Sequence, residues 1–323
     1  MTPIIAVAHP ARNPLPAYPT PATASPSRAG ATPHSVVAVV VTRNRRELLE
    51  QCLEAVLAQT RLGERVVVVD NVSSDGTPGM VRERFPTVEV EQLARNDGAA
   101  GGFHEGIRAG MDMGGEWLWL MDDDTIPAPD ALEQLWASLG RLDGLPAPSL
   151  LASKVVWTDG TLHPKNLPWA RLDEGSIETF VSAVDRRLLP LRVASWVSIL
   201  VSRRAVEDHG LPLKHYFIWG EDGEWTARLL KHGTGYMVPA SVVCHKTPQK
   251  VSVHREGSDQ YYFEVRNKLF QLRGDSWFPK EKIHLTLSMV MGAGQYLVRE
   301  RFAPRALILL LRAVRDGLAR PAT

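Results

Sequence analysis

Three consecutive carboxylates follow a short apolar run near the middle of the chain. Residues 117–121 read Trp-Leu-Trp-Leu-Met, and Asp122, Asp123 and Asp124 come directly after them. Short apolar runs with such a polar boundary are typical of buried strands in parallel sheets. Because alternate side chains of an extended chain share a side, Asp122 and Asp124 should face together and could bind a hard divalent cation. The spacing alone leaves a solvated acidic turn open as the alternative.

A second acidic cluster and a histidine lie in the C-terminal half of the sequence. The motif Phe-Ile-Trp-Gly-Glu-Asp-Gly-Glu-Trp places Glu221, Asp222 and Glu224 at the start of a predicted helix. Acids in a first helical turn are stabilised by the helix dipole, and a positioned carboxylate can also serve as a general base. His245 ends a short apolar strand, where a hydrogen-bonded core histidine is the more frequent role. The residues alone leave both assignments open.

The loops after two predicted strands carry groups that could bind a nucleotide. Thr42, Arg43 and Asn44 follow the first of these strands, and Asp70 follows the second. Asp70 could accept a hydrogen bond from a base or a ribose hydroxyl, although a turn or helix-capping role is equally open. Arg43 or Arg95 could face a phosphate, bidentately if the geometry allows it.

Strands and helices alternate in the pattern that positions these loops. β-Branched and apolar runs predict strands, and apolar residues at helical spacing predict helices. The predicted strands are 36–41, 66–69, 88–93 and 117–121; the predicted helices follow the first strand at about 48–57, begin near Pro78, and cover 103–113 after a Gly/Ala loop at 95–102. This order favours an α/β chain with a doubly wound parallel sheet, which binds ligands at the carboxyl ends of its strands.

The glycine-rich stretch does not have the spacing of a dinucleotide-binding fingerprint. Residues 98–102 read Gly-Ala-Ala-Gly-Gly, whereas the fingerprint needs a Gly-x-Gly-x-x-Gly pattern directly after a strand. We therefore exclude a nicotinamide or flavin cofactor.

The composition is that of a globular chain with a substantial core. The chain has 323 residues, of which 44% are apolar and 23% charged, and its formal net charge is +1. Such a balanced charge gives no reason to expect a nucleic-acid partner. No run of about 18 uncharged apolar residues is present, so no transmembrane helix is predicted.

The two cysteines, Cys52 and Cys244, do not form a CxxC pair. A disulfide framework or a zinc knuckle is therefore not predicted, and a reducing, cytoplasmic compartment fits. Residues 1–34 are rich in Pro, Ala, Thr and Ser and lack the apolar core of a signal peptide. This segment is predicted to be a disordered tail.

Three motifs together resemble family 2 glycosyltransferases. They are Val-Ala-Val-Val-Val-Thr-Arg-Asn-Arg at 37–45, Val-Val-Asp-Asn-Val-Ser-Ser-Asp-Gly-Thr at 68–77, and Met-Asp-Asp-Asp at 121–124. Members of this family have the GT-A fold and invert the anomeric centre. The resemblance covers about residues 36–275. It implies a Rossmann-like, mostly parallel sheet flanked by helices, with a C-terminal helical extension.

A further motif is similar to a loop that marks one subgroup of this family. Residues 95–103 read Arg-Asn-Asp-Gly-Ala-Ala-Gly-Gly-Phe, similar to the Asn-x-Gly-Gly-Ala-Gly-Gly-Phe loop of bacterial galactofuranosyltransferases and related rhamnosyltransferases. Asp97 and Ala99 depart from that loop. The subgroup implies UDP-galactofuranose as the first candidate donor and dTDP-rhamnose as the second.

The family resemblance implies a metal site and a catalytic base. Asp122, Asp124 and His245 would bind the cation, because a histidine after the base-bearing helix completes the metal site in many members. Two carboxylates and one imidazole suit Mn²⁺ better than Mg²⁺, although Mg²⁺ could substitute. The family's Glu/Asp-Asp motif places the base on Asp222, with Glu221 as the fallback. Glu224 would orient the acceptor or brace the site.

Other side chains would bind the donor or shape the site. The strand predicted at 193–201 borders the donor sugar in the family, which implicates Trp196 and Ser198, although Trp196 could equally be a core residue. Tyr262 and Arg266 belong to a motif that resembles the subgroup's Tyr-Tyr-x-x-Arg-Asn signature and would shape the acceptor or diphosphate side, although packing alone could explain the tyrosines. The residues expected to bind the donor nucleotide and sugar are Thr42, Arg43, Asn44, Asp70, Arg95, Asn96, Asp122, Asp123 and Trp196.

The predicted organisation has three parts after the resemblance is included. Residues 1–34 form the tail, 35–275 the GT-A catalytic domain, and 276–323 a set of amphipathic helices. Within the catalytic domain, 35–140 would bind the nucleotide and 141–275 the acceptor. The basic and apolar C-terminal helices could lie on an anionic membrane surface or pack on the catalytic domain. Acceptors linked to polyprenyl diphosphate, which subgroup members often use, would place the chain at the cytoplasmic face.

The predicted function is transfer of a sugar from a nucleoside-diphosphate donor to a hydroxyl of a lipid-linked or cell-surface glycan precursor. A sugar-phosphate nucleotidyltransferase is one alternative, but it would require a glycine-rich loop after the first strand, and residues 42–45 contain no glycine. A non-catalytic sugar-nucleotide binder is the other, and it would require the base or the metal ligands to be missing. The sequence does not define the oligomeric state.

Overall fold

The computed structural model describes residues 35–61, 65–171, 177–250 and 258–319. The tail predicted at 1–34 lies outside these residues. The strands are β1 Val36–Thr42, β2 Arg65–Asp70, β3 Glu89–Gln92, β4 Trp117–Asp122, β5 Thr125–Pro127, β6 Leu150–Val156, β7 Trp169–Ala170, β8 Leu189–Val193, β9 Ile199–Ser202 and β10 Gly235–His245. The helices are α1 Arg46–Leu57, α2 Thr77–Arg84, α3 Gly98–Asp112, α4 Ala131–Ser138, α5 Ile177–Asp185, α6 Arg203–His209, α7 Glu221–His232, α8 Ser258–Arg273, α9 Pro279–Arg299 and α10 Pro304–Ala319.

The strands form one sheet in the order β3-β2-β1-β4-β9-β6-β10-β8-β7, and β5 pairs with β10. Strands β1 to β4 pair in parallel, as predicted. Strand β9 runs antiparallel to both of its neighbours, β4 and β6, and thereby joins the two halves of the sheet. The α/β architecture expected from the sequence is therefore confirmed.

Helices cover both faces of the sheet, which explains the unbroken valine run in β1. Every residue of β1 is buried. Val36, Ala38 and Val40 pack in one apolar core with α1 and α2, whereas Val37 and Val39 pack in a second core with α3 and α7. A central strand buried on both faces needs apolar residues at every position.

Helix α3 begins earlier than the sequence predicted. The stretch 95–102 was expected to be a loop followed by a helix at 103–113, but α3 already begins at Gly98. A side-chain carbon on Gly102 or Gly106 would collide with Val41 or Val39 of β1. Close packing of this helix on the sheet therefore requires glycine, and the packing outweighs glycine's low helix propensity.

The strand predicted at 193–201 is divided in two. Strand β8 ends at Val193 and β9 begins at Ile199, and Ser198 between them has a positive φ of 72°. Such a backbone conformation interrupts an extended strand. The chain can therefore leave β8, the second strand from the edge of the sheet, and enter β9 near its centre.

The C-terminal helices pack on one another around α8. Helix α8 contacts both α9 and α10. Buried Tyr261, Tyr296 and Ala306 form a small core between the three helices, and the rings of the two tyrosines stack with centroids 4.2 Å apart. Among the helices that the structure describes, none has the length and apolar character needed to cross a membrane.

Candidate active site

The acidic triplet lies at the carboxyl end of β4, in the middle of the sheet. Strand β4 ends at Asp122, and Asp123 and Asp124 form a turn into β5. The prediction that Asp122 and Asp124 converge is correct, but the extended alternation used to derive it is wrong. Asp124 lies in the turn after the strand, and this turn places its carboxylate near that of Asp122. Parallel strands β1 and β4 place Asp122 opposite Val41, next to the loop after β1.

The pairing of β5 with β10 brings His245 to the triplet. Thr125 and His245 are opposite each other in this antiparallel pair, and the amide of Lys246 donates to the carbonyl of Asp124 over 2.8 Å. As a result, Nε2 of His245 lies 3.1 Å from Oδ1 of Asp124. Ligand atoms of Asp122, Asp124 and His245 all lie within 4.8 Å of one another.

The tautomer of His245 fits a metal ligand. Its Nδ1 lies 2.8 Å from the side-chain oxygen of Asn166, which can only accept a hydrogen bond. Nδ1 therefore carries the proton in the neutral ring, and Nε2 presents its lone pair to Asp124. Apart from that contact, the buried Oδ1 of Asp124 has no hydrogen-bond partner in the described part of the chain. A neutral His245 that faces Asp124 in this way fits a site for a divalent cation, whereas a protonated ring hydrogen-bonds to Asp124 instead.

Arg45 supplies a positive charge among the three acids. Its Nη1 lies 2.7 Å from Oδ2 of Asp124 and 3.2 Å from Oδ1 of Asp123. Burial tends to raise the pKa of Asp124, but the hydrogen bonds and charges of His245 and Arg45 outweigh it and lower that pKa. Burial, together with the charge of Asp124, raises the pKa of Asp122 to about 7. The two acids therefore titrate apart, as is typical of functional carboxylate pairs.

Asp123 is held by the loop after β1. Its Oδ2 accepts a hydrogen bond of 2.7 Å from the hydroxyl of buried Thr42. The backbone amide of Arg43 also donates to Asp123, whereas the side chain of Arg43 is exposed. Burial raises the pKa of Asp123 to about 6. Thr42 and Asp123 thus fix the geometry of the triplet, and the Arg43 guanidinium remains at the surface of the site.

Asn44 and Asp70 connect the loops after β1 and β2. The amide of Asn44 donates to the hydroxyl of Ser73, and its side-chain oxygen accepts from the amide of Ser74 over 2.7 Å. Asp70 is buried and accepts from the amide of Ser73 through Oδ2, while its Oδ1 has no partner among the described residues. This free acceptor at the end of β2 fits the predicted contact with a base or ribose.

The residues before α3 do not join the metal cluster. The side chain of Arg95 is 81% exposed and pairs with Asp97, with 2.7 Å between Nε and Oδ1. The side-chain oxygen of Asn96 accepts from the amide of Gly98. Gly98 has a positive φ, and a side-chain carbon there would collide with the carbonyl of Phe217. This contact joins the start of α3 to the loop that precedes α7.

Trp196 and Ser198 lie in the core. Trp196 is only 3% exposed, and its ring packs on Phe103 with centroids 4.2 Å apart. Ser198 is fully buried and accepts from the indole of Trp119 over 2.9 Å. The prediction that Ser198 lines a pocket is therefore wrong. The indole nitrogen of Trp196 has no hydrogen-bond partner within the described segments.

Two acids of the predicted base motif begin α7. Oδ1 of Asp222 accepts a hydrogen bond of 2.6 Å from the amide of Gly223, and burial raises the pKa of Asp222. Burial, together with the charges of Asp222 and Asp122, raises the pKa of Glu221 well above its usual range. Oε2 of Glu221 has no partner among the described atoms. The influence of Asp122 on Glu221 indicates that the two acidic clusters share one region.

Glu224 braces the helix. It accepts hydrogen bonds from Arg228 and from the hydroxyl of Ser276, and it is 4% exposed. Of the two roles expected for Glu224, these contacts fit the bracing one.

Side chains of α8 hold the loop that leads to α7. Phe217, Trp219 and Gly220 all have positive φ, so the loop is neither helix nor strand, and several of its carbonyl groups need side-chain donors. The side-chain amide of Asn267 donates to the carbonyls of Tyr216, Ile218 and Trp219. The guanidinium of Arg266 donates to the carbonyls of His215 and Tyr216. The buried Arg266 therefore supports the loop that leads to α7, and any effect on the acceptor or diphosphate side, as expected from the sequence, would be exerted through this loop.

Tyr262 is also engaged away from the acids. Its hydroxyl donates to Asp316 of α10 over 2.7 Å. This contact ties α8 to α10, so of the two roles that the sequence left open for Tyr262 it fits helix packing.

The sequence reasoning did not assign two residues of the cluster. Repulsion among three acids indicates that a cation must lie nearby, and Arg45 follows the first strand closely enough to supply it. Asn166 belongs to a short turn between β6 and β7, and no pattern in that turn indicates a contact with His245.

Comparisons with known proteins agree with this geometry. The sequence model described as Glycosyl transferase family 2 matches residues 37–210. A relative named Galactofuranosyltransferase GlfT1, from Mycolicibacterium smegmatis, is 32% identical over 204 residues, which are 61% of this chain and 66% of the relative. N-acetylglucosaminyl-diphospho-decaprenol L-rhamnosyltransferase from Mycobacterium tuberculosis is 25% identical over 233 residues, 64% of this chain and 75% of that protein. The chain thus spans just under two thirds of the galactofuranosyltransferase's length.

Two solved structures show the same fold. S. aureus TarS 1–349 in complex with UDP-GlcNAc aligns with a TM-score of 0.59 at 15% identity, over 88% of this chain and 80% of that one. The mannosyltransferase PcManGT from Pyrobaculum calidifontis, in complex with GDP-Man and Mn²⁺, aligns with a TM-score of 0.53 at 17% identity, over 89% and 81% of the two chains. Since the family model matches more than half of the sequence, this chain belongs to glycosyltransferase family 2, and it has the GT-A fold.

Proposed function

We propose that this protein is an inverting, metal-dependent glycosyltransferase. It transfers a sugar from a nucleoside-diphosphate donor to a hydroxyl of a lipid-linked or cell-surface glycan precursor. The observation that carries the proposal is the cluster of Asp122, Asp124 and His245 in the same region as the acids that begin α7. UDP-galactofuranose is the favoured donor because relatives are named galactofuranosyltransferases. dTDP-rhamnose is the alternative, in line with the related rhamnosyltransferase.

Asp122, Asp124 and His245 would bind Mn²⁺ or Mg²⁺. The mixed oxygen and nitrogen ligand set favours Mn²⁺. A bound cation would neutralise the negative charge that develops on the diphosphate leaving group. Asn166 would fix the His245 ring, and Arg45 and Thr42 would hold the carboxylates in place.

The loops after β1, β2 and β3 would bind the nucleotide. The unpartnered Oδ1 of Asp70 would accept from the base or ribose, and the exposed Arg43 and Arg95 would approach the phosphates. The unpaired indole N–H of Trp196 would support the sugar side. The other residues of the proposed donor site are Asn44, Asn96, Asp122 and Asp123.

Asp222 would accept the proton from the attacking hydroxyl. A raised pKa brings a carboxylate closer to the operating pH, which improves general-base catalysis. Burial and the charges of Asp222 and Asp122 raise the pKa of Glu221 well above its usual range, which favours its neutral form. Asp222 is therefore the better base. Attack from the side opposite the diphosphate would invert the anomeric centre.

The exposed faces of α9 and α10 would rest on an anionic membrane surface. On α9, Ile283, Leu287, Val290, Met291 and Val298 recur at helical spacing, and each is more than half exposed. Residues 279–319 contain seven Lys and Arg but only three Asp and Glu, and each of these acids is paired with an arginine. A cationic apolar face fits anionic lipid, whereas two such faces would repel each other. This position would suit a lipid-linked acceptor at the cytoplasmic face.

Flotation with vesicles tests the membrane contact. The full-length protein should co-float with vesicles of phosphatidylcholine and phosphatidylglycerol more than with phosphatidylcholine alone. Leu287→Glu should reduce flotation, whereas Val181→Glu, on the exposed part of α5, should not. Equal flotation of the two variants, or no flotation of the unchanged protein, would refute the membrane contact.

Release of free nucleotide from a panel of sugar nucleotides, with and without Mn²⁺, tests the enzymatic proposal. A glycosyltransferase releases nucleoside diphosphate only from its donor, and the release should depend on the cation. Release of pyrophosphate from a nucleoside triphosphate and a sugar phosphate would indicate a nucleotidyltransferase instead. Donor binding without any release, even with acceptors present, would indicate a non-catalytic binder.

A further inference from the structure

A cavity of about 430 Å³ opens beside the start of α7. Its volume lies within the range of about 300–1,000 Å³ that is typical of small-molecule sites. Trp169, Trp219 and Trp277 form much of its wall, and Gly220 and Gly223 form the side next to the base motif. None of the residues that line it belongs to the metal cluster.

Two of the indoles form a corner. The rings of Trp169 and Trp277 meet edge to face with centroids 5.5 Å apart. Trp277 is 4% exposed, and its indole N–H has no hydrogen-bond partner in the described segments. Trp169 is 37% exposed and lies on the short edge strand β7. The corner therefore presents apolar ring surface to the cavity.

Polar side chains complete the lining. Lys165, Gln260 and Gln271 reach the cavity, and Gln271 donates to the carbonyl of Gly220 with its amide nitrogen. A sugar combines apolar C–H faces, which pack on indole rings, with hydroxyls, which pair with amide and ammonium groups. A prenyl chain in the same space would remove these polar groups from water and offer them no hydrogen bonds in return, which costs free energy. The mixed lining therefore favours a sugar.

The position of the cavity fits the acceptor rather than the donor. Gly220 and Gly223 flank Glu221 and Asp222 in the sequence and line the cavity themselves. We propose that this cavity binds the acceptor through a sugar ring stacked on Trp169 and directs one of its hydroxyls to Asp222. The inference rests on the proposed function, and it adds Trp169, Trp219 and Trp277 as acceptor-binding residues.

Truncation of Trp169 tests this site with little risk to folding, because the side chain is partly exposed. In the full-length protein with Mn²⁺ and UDP-galactofuranose, Trp169→Ala should raise the acceptor KM roughly tenfold and Trp169→Phe should restore much of the loss. Trp136→Ala, on α4 where the indole packs on Arg61, serves as the matched control and should leave KM unchanged. Hydrolysis of the donor without acceptor should be the same in all variants.

Direct binding separates this inference from the proposed function. Methyl α-L-rhamnopyranoside and methyl β-D-galactofuranoside serve as sugar probes in saturation-transfer NMR, and farnesyl phosphate serves as the apolar probe. At least one glycoside should bind the unchanged protein and Trp136→Ala, and bind Trp169→Ala roughly tenfold more weakly. Such binding in a protein without transfer activity would refute the proposed function and leave the cavity assignment standing. Equal glycoside binding by both variants, no glycoside binding, or displacement of the glycoside by farnesyl phosphate would overturn the assignment.

Discussion

The proposed donor side and the proposed acceptor side of the site are built in different ways. Asp123 and Asp124 of the donor side lie at the end of a central strand and are held by Thr42, Arg45 and His245. The proposed acceptor side begins at a loop with positive φ angles, and Oε2 of Glu221 and the indole nitrogen of Trp277 have no hydrogen-bond partner within the described ranges.

This difference indicates which part of the molecule can vary between relatives. The register of the sheet fixes the donor side, so a change there disturbs several strands at once. The acceptor side depends on side chains of α8 that hold a loop, and loops on a rigid scaffold tolerate sequence change. We therefore expect the way in which the donor is bound and activated to be common to the family. The choice of acceptor should depend on residues such as Trp169.

The largest expected effect is that of Asp222→Asn. Loss of the general base should lower kcat by about 10²- to 10⁴-fold while binding of UDP and Mn²⁺ is unchanged. Steady-state transfer kinetics measure kcat, and calorimetric titration with UDP measures donor-side binding separately. Glu221→Gln should have the smaller effect on kcat. A larger loss in Glu221→Gln would move the base to Glu221.

Arg192→Leu should show that the acceptor side depends on a buried ion pair. Arg192 is 3% exposed and binds Glu281 of α9 at 2.8 Å as well as the carbonyls of Ala227 and Ser276. Leaving Glu281 without its partner should lower the free energy of unfolding by about 3–5 kcal/mol. Urea unfolding measures this, with Arg204→Leu as control because its pair with Asp208 is exposed and should contribute less than about 1 kcal/mol. Equal losses would refute the prediction.

Asn166→Ala should weaken metal binding on the donor side and leave the acceptor side unchanged. Without the acceptor for Nδ1, His245 loses its preferred tautomer and orientation, so Mn²⁺ affinity should fall by about 10- to 100-fold. Asn166→Asp keeps an acceptor oxygen and should retain the affinity. Mn²⁺ titration by calorimetry measures both, and glycoside binding should not change in either variant. Weaker Mn²⁺ binding by Asn166→Asp would contradict this role of Asn166.

The smallest effect is on the pH dependence of transfer. Burial raises the pKa of Asp222, so the base is protonated, and inactive, at a higher pH than an ordinary aspartate with a pKa of about 3.9. In saturating Mn²⁺, kcat/KM should therefore decline as the pH falls, with its midpoint above pH 4. A profile that stays flat down to about pH 4 would contradict a buried base.

Motifs with regular spacing made much of the donor side predictable. The apolar runs gave β1 to β4 in order, and the acids and His245 emerged from the family motifs, because ligands at strand ends follow from sheet topology. The early start of α3 and the division of the strand at 193–201 were missed, because packing and one positive φ decided them.

The acceptor side was harder to predict from the sequence. Trp169 and Trp277 lie on an edge strand and in a connection, where no periodic pattern connects them to the base. Arg266 and Asn267 matched a motif, but their contacts with loop carbonyls depend on positive φ angles that the sequence does not reveal.

The central claim is that Asp122, Asp124 and His245 bind a metal ion, and electron paramagnetic resonance of Mn²⁺ tests it most directly. The unchanged protein and Asp124→Asn are each titrated with Mn²⁺, with and without UDP. The account predicts one Mn²⁺ per chain in the unchanged protein, tighter binding when UDP is present, and a loss of affinity of at least about a hundredfold in Asp124→Asn with the fold retained. Equal Mn²⁺ affinity of the two proteins, with or without UDP, would contradict a metal site built from Asp122, Asp124 and His245.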